Sequence, residues 1–304
     1  MTWFFVALLA PFFWSVSVYI DKYLVDDKLK GFGIGSVMIF SAVIGIFLLP
    51  IIFFIHPEVV FVELSYALFA IIGGFLYILC ALPYFYALKK DEASVIVPIY
   101  QTIPIFGYVL AFIFLKEVLN VGQIFSSILI IIGAVVLSVD LSGKKFRFKH
   151  EIFWLVLLSS FLAALNGFIF KMLAVESDFW TTSFWEYVGF TISALLLLFV
   201  KSYRKQFFSV FRENALFMVN INALNEIVNI SGKITMNIAT IMAPLALAWV
   251  VNGFQPLIML ILGITITKFF PGIGTEKISK GHIFHKIVAI ALMFSGAILL
   301  NIFS

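Results

Sequence analysis

Stretches of about twenty residues that are apolar on every side constrain this chain most. A helix in a soluble core needs one apolar stripe, whereas a helix crossing a bilayer needs apolar side chains all around. The segment Ile34–Ile55 contains no charged residue, and similar stretches recur along the whole chain. Of 304 residues 63% are hydrophobic and 12% charged, against about 25% charged in ordinary soluble domains. A water-soluble fold is excluded. At about 20 residues per span plus short connections, a chain of this length holds roughly ten spans and no soluble domain.

Charges and turn residues delimit these spans: Trp3–Val25, Ile34–Ile55, Leu64–Leu88, Val95–Leu115, Val121–Val139, Ile152–Val175, Thr181–Val200, Ala215–Ile238, Pro244–Ile266 and Ile283–Phe303. No stretch alternates polar and apolar as the strands of a membrane barrel do. The first stretch lacks a basic leader and a small-residue cleavage site, so it is expected to stay as a span. Cys80, the single cysteine, lies in an apolar run and is expected to be inert.

Seventeen of the twenty basic residues fall on one side of a ten-helix weave, in and beside the connections holding Lys28, Lys89, Lys144, Arg204 and Lys277. Lys116 and Lys171 fall on the other, and Lys233 lies inside a span. Basic connections stay in the cytoplasm, so the sequence predicts a multi-pass protein of the cell membrane with both termini outside. The basic runs are read as this topology signal, with no nucleic-acid partner.

The chain also resembles itself. A shift of 149 residues lays Tyr19–Val25 on Phe168–Ala174 and matches Lys22 to Lys171; a shift of 152 matches Pro104 to Pro256. Ile130–Ser138 resembles Met293–Asn301, matching Gly133 to Gly296. The order is shared, and the boundary falls near Gly143–His150. The expected architecture is an all-α membrane protein of ten transmembrane helices in two five-helix inverted repeats, residues 1–142 and 150–304. Five is odd, so the second copy enters from the opposite side, the design of many secondary transporters.

Trp14 and Lys22 in the first helix, the segment Tyr86–Pro104, Leu115–Gln123 and Ile130–Ser138 together resemble the EamA-type transporters of the drug/metabolite transporter superfamily. The resemblance implies two five-helix inverted repeats and movement of small metabolites, often amino acids or related compounds, commonly as export. It puts Pro104 and Glu117 at family motif positions. The second copy carries Phe269 where the first has Glu117.

A polar group inside a span is costly, about 2.5–3.5 kcal/mol for a charge at helix centre, so retained ones are informative. Asn222, Glu226, Asn229 and Lys233 follow i, i+4, i+7, i+11 spacing on one helix face, with Asn225 at its border. This stripe is expected to line a translocation cavity, with Glu226 facing an ammonium or carrying a proton and Lys233 facing a carboxylate or phosphate. The competing reading is a network that fixes helix packing. Glu186 is expected as a partner of Lys233 or Lys171, and Asn166 as a further cavity residue. Tyr100, Gln101, Trp249, Asn252 and Gln255 cluster just before the matched prolines. Pro104 and Pro256 each remove a backbone hydrogen bond and permit a bend, so both are candidate gating positions. Lys22 and Lys171 are expected to snorkel to the interfaces, and Glu117 to be a helix-end charge. His56, His150, His282 and His285 sit at membrane edges without metal-ligand spacing. No nucleophile elbow or phosphate loop appears, so neither an enzyme nor a cofactor is expected. The reading is a secondary active exporter of a small polar metabolite, with a proton or other ion as coupling partner and the lipid bilayer as surroundings. Two alternatives are a nucleotide or phosphorylated-metabolite carrier and a membrane scaffold or enzyme subunit without transport.

Overall fold

A computed structural model describes residues 2–25, 33–90, 96, 99–138, 150–210, 215–269 and 283–303. The proposed boundary between repeats, most of the basic connections and the Lys22 side chain lie outside the described residues.

The described residues are helical nearly throughout. They form α1 (Thr2–Val25), α2 (Ile34–Ile55), α3 (Leu64–Lys90) and α4 (Ile103–Leu110), which runs on through a π-helical turn, Ala111–Leu115. Next come α5 (Val121–Ser138), α6 (His150–Glu176), α7 (Phe179–Phe199), α8 (Lys201–Val210) and α9 (Ala215–Met242). The chain ends in α10 (Leu245–Val251), a 3-10 turn (Asn252–Phe254), α11 (Gln255–Phe269) and α12 (Ile283–Phe303). Local signals start several of these helices. Asn120 and Gln123 cap each other's backbone N–H at the head of α5, and the Asp178 carboxylate accepts from the Trp180 and Thr181 N–H groups at the head of α7.

Six helical stretches are long and apolar enough to cross a membrane among the described residues: α1, α2, α3, α6, α7, and α10 with α11 taken together. Ile103–Leu115, Val121–Leu137 and Ile287–Phe303 are apolar but shorter. The expected eighth span, α9, falls in neither group, because three buried asparagines, Glu226 and Lys233 lower its hydropathy. The short α8 lies in a connection that the sequence reading left without structure. Length and apolarity therefore carry a multi-helix membrane protein, but not the count of ten.

The distribution of side chains is that of a protein in lipid. Phe54 is 83% exposed and Phe199 81%, while Lys233 is 2% exposed and Glu186 2%. Apolar side chains gain nothing by leaving hydrocarbon, so large ones face outward. Polar side chains turn inward, where they find partners.

The most extensive packing joins α5 to α12, α1 to α9, α3 to α6, and α2 to α7. Each pair unites an element from the first half of the chain with one from the second. The α5–α12 approach is close because both helices carry glycine at the seam. A Cβ on Gly133 would lie 2.8 Å from the Ala289 carbonyl oxygen, and one on Gly296 2.8 Å from the Ser126 carbonyl oxygen. The two glycines matched by self-similarity thus each seat the partner helix.

Candidate functional site

A cavity of about 200 Å³ lies between the two halves of the chain. Trp14, Ser17, Val18 (α1), Val37, Met38, Ser41 (α2) and Tyr77, Cys80, Tyr84, Phe85 (α3) line it from the first half, with Tyr100 and Gln101. Ala163, Asn166 (α6), Asn225, Glu226, Asn229 (α9), Trp249, Asn252, Gln255 and Met259 line it from the second. These positions run from the middle of their helices toward the ends that carry the basic connections.

Three members of the α9 group, Asn225, Glu226 and Asn229, line this cavity. Glu226 accepts a hydrogen bond from the Ser41 hydroxyl at 2.6 Å and one from the Asn229 amide at 3.5 Å. The Asn225 side-chain oxygen accepts from the Ser17 hydroxyl at 2.8 Å. Asn222, 1% exposed, is buried on the same helix outside the cavity lining. Lys233, two turns further on, also lies outside the lining. Its ammonium donates to Glu186 Oε1 at 2.9 Å and to Asn166 Oδ1 at 3.4 Å, and stands 4.4 Å from the centre of the Tyr77 ring. Asn166 in turn donates through Nδ2 to Glu186 Oε1 at 2.7 Å and to the Gly73 carbonyl at 2.9 Å. The stripe of one helix face is thus divided: Glu226 with Asn225 and Asn229 toward the cavity, Lys233 into a buried network that binds α3, α6, α7 and α9. Glu186 reaches this depth because α7 crosses α3 at two glycines. A Cβ on Gly74 would sit 2.0 Å from the Glu186 carbonyl oxygen, and one on Gly189 2.3 Å from that of Ile71.

Trp14 and Trp249 stack across the cavity wall, centroids 5.9 Å apart and planes 16° from parallel. The Trp249 indole nitrogen and Asn252 Oδ1 are buried without a hydrogen-bond partner among the described residues. Pro104 and Pro256 each occupy the second position of a helix, α4 and α11, directly after an interruption: a turn at 101–102 and the 3-10 segment Asn252–Phe254. A proline there loses no intrahelical bond, so the irregular backbone precedes both prolines, where Gln101 and Asn252 face the cavity.

Two further expectations are corrected. Lys171 does not snorkel: it is 6% exposed, forms an ion pair with Glu117 and donates to the Ala243 carbonyl at 2.7 Å. Glu117 is accordingly no free helix-end charge, since its other oxygen accepts the Leu245 N–H at 2.9 Å. The sequence reading also passed over Ser17, Ser41 and Tyr77. Lone hydroxyls in apolar helices carry no spacing signal, and an aromatic ring in a phenylalanine-rich chain reads as packing.

Comparison with known proteins agrees with this architecture. The EamA-like transporter family matches residues 1–139. An uncharacterized protein, MJ1333.1, of Methanocaldococcus jannaschii is 31% identical over 135 residues, which are 44% of this chain and 95% of that protein. A solved crystal structure of a protein at 14% identity superposes with a TM-score of 0.72 over 99% of this chain and 96% of its own. At that identity the likeness establishes the fold alone.

Proposed function

The chain belongs to the EamA-like transporter family, a family of membrane transporters, and on that premise we propose that it moves a small polar metabolite by alternating access, as an exporter. The cavity carries this reading: both halves of the chain build its wall, and polar groups from both, Gln101 and Ser41 against Glu226, Asn229, Asn252 and Gln255, converge on it. A carrier that opens to each side in turn needs its solute site between two units that move against each other.

We read those units as two five-helix inverted repeats, residues 1–142 and 150–304, forming a ten-helix bundle. The packing supports this, because exchanging the repeats maps the α1–α9 contact onto the α6–α3 contact and each of α2–α7 and α5–α12 onto itself. MJ1333.1 supports it too, since 95% of that protein matches only 44% of this chain. The basic connections are assigned to the cytoplasm, which puts both termini outside and directs the cavity inward.

Glu226 is the proposed coupling group, with Asn225, Asn229, Tyr100, Gln101, Trp249, Asn252 and Gln255 as solute contacts. Lys233, Glu186 and Asn222 are assigned to supporting the wall. A phosphorylated substrate is disfavoured, because among the described residues no lysine or arginine lines the cavity. Purified protein in liposomes with an imposed pH gradient tests the reading. A metabolite screen by thermal stabilisation supplies the substrate, since a ligand that binds only the native state raises apparent stability. Glu226→Gln is expected to abolish the pH dependence of flux while Lys233→Met leaves that dependence in place. PH-dependent flux that survives Glu226→Gln removes Glu226 from the mechanism.

A further inference from the structure

Two buried ion pairs among the described residues differ in exposure, and the difference assigns them different work. In Lys233–Glu186 the side chains are 3% and 2% exposed. In Lys171–Glu117 they are 8% and 18%. Separating the first pair leaves two charges in a dry interior. Separating the second lets water reach the freed carboxylate, so this pair is the one that can break and re-form at modest cost.

Its position adds the second half of the argument. Glu117 follows the π-helical turn that ends the α4 segment, Lys171 lies near the end of α6, and Ala243 and Leu245 form the junction between α9 and α10. Lys171 donates to Glu117 and to the Ala243 carbonyl, and Glu117 accepts the Leu245 N–H. One residue from the first half of the chain and three from the second are thereby tied at the end of the bundle away from the basic connections. The cavity lies on the other side of this knot. The Trp14–Trp249 stack lies between them, with Trp249 one turn along from Leu245.

We propose that Glu117 and Lys171 form the gate that closes this end of the bundle while the cavity is open at the other. The proposal rests on the alternating-access reading and adds the residues that hold one end shut. When the halves move, the pair parts, water enters between them and the α9–α10 junction is released from both side chains. The second copy has Phe269 at the position matched to Glu117, so the opposite end lacks a carboxylate at that position and closes by different contacts.

Sided labelling in proteoliposomes tests this. Val18→Cys, together with the native Cys80, places thiols in the cavity wall, and a membrane-impermeant maleimide is added from one face at a time. The parent protein is expected to label from the face of the basic connections and poorly from the other. Glu117→Gln and Lys171→Met are each expected to raise labelling from the Glu117 face by roughly tenfold, a shift in a two-state equilibrium toward the form open on that side. Lys171→Arg keeps the charge pair and is expected to label like the parent. Unchanged sidedness in monodisperse Glu117→Gln and Lys171→Met proteins overturns the gate while leaving the cavity reading intact. A parent protein that labels from neither face, or equally from both, overturns the one-sided cavity and the gate with it.

Discussion

Replacing Glu186 by glutamine preserves the shape of the side chain and removes one charge from the buried interior. At 2.9 Å and an effective dielectric of about 20, the Lys233–Glu186 attraction is worth about 6 kcal/mol before desolvation. Both charges lost their hydration on folding, and that loss offsets much of the attraction. Taking away one partner leaves the other buried, at a typical cost of about 3–5 kcal/mol. Lys233 keeps the Tyr77 ring at 4.4 Å and the Asn166 oxygen at 3.4 Å, so the lower end of that range applies, about 3 kcal/mol. For a chain of this size each kcal/mol moves the melting point by about 2–4 °C, giving a fall of roughly 10 °C. Tryptophan fluorescence melts in one detergent, repeated for Lys233→Met and for the double variant, measure it. The double variant is expected to be more stable than the sum of the singles predicts, since it contains no orphaned charge. A melting point for Glu186→Gln within about 2 °C of the parent, less than 1 kcal/mol, refutes the ion pair as the brace between α7 and α9.

Two further outcomes concern packing and capping. Gly133→Ala puts a methyl group 2.5 Å from Met293 Cγ and 2.8 Å from the Ala289 carbonyl oxygen. It is expected to cost about 1–3 kcal/mol through overpacking at the α5–α12 seam; an unchanged melting curve means that the helices do not approach so closely. Asp178→Ala removes the cap of α7 and is expected to cost about 1 kcal/mol. Partial burial raises the Asp178 carboxyl, but bonds from Thr181 and Trp180 outweigh it and hold the group below its ordinary 3.8. The stabilisation from that shift is therefore present above this value and lost as pH falls through the lowered one. The gap between parent and variant melts should narrow below pH 3.8; a constant gap contradicts the capping bonds.

Helix existence was legible because a bilayer demands unbroken apolarity, and Ile34–Ile55 and Ile283–Phe303 appear with the bounds read from sequence. The α9 segment shows where such reading fails. The same polar residues that mark it as informative make it too polar to register as a span. Its spacing put Glu226 and Lys233 on one face, yet positions two turns apart on one face of a long helix meet different neighbours. Glu226 meets α2 through Ser41, while Lys233 meets Glu186 of α7. Partner identity depends on which helices cross, and glycines such as Gly74 and Gly189 set that crossing. Nothing in the pattern of a single helix encodes it. Lys171 was misjudged for the same reason: its distance from the helix end suggested water, and the α9–α10 junction folds over it.

The seam of α5 and α12 has a consequence for how a chain like this can change. Neither helix contributes a residue to the cavity wall, yet their contact is the most extensive between the two halves. The main seam between the halves and the cavity wall are thus built by separate helices. On the proposed transport reading, substitutions at Tyr84, Gln101 or Gln255 would alter what the wall accepts without touching the α5–α12 seam at Gly133 and Gly296, so new specificities would be open to single mutations that leave the scaffold whole.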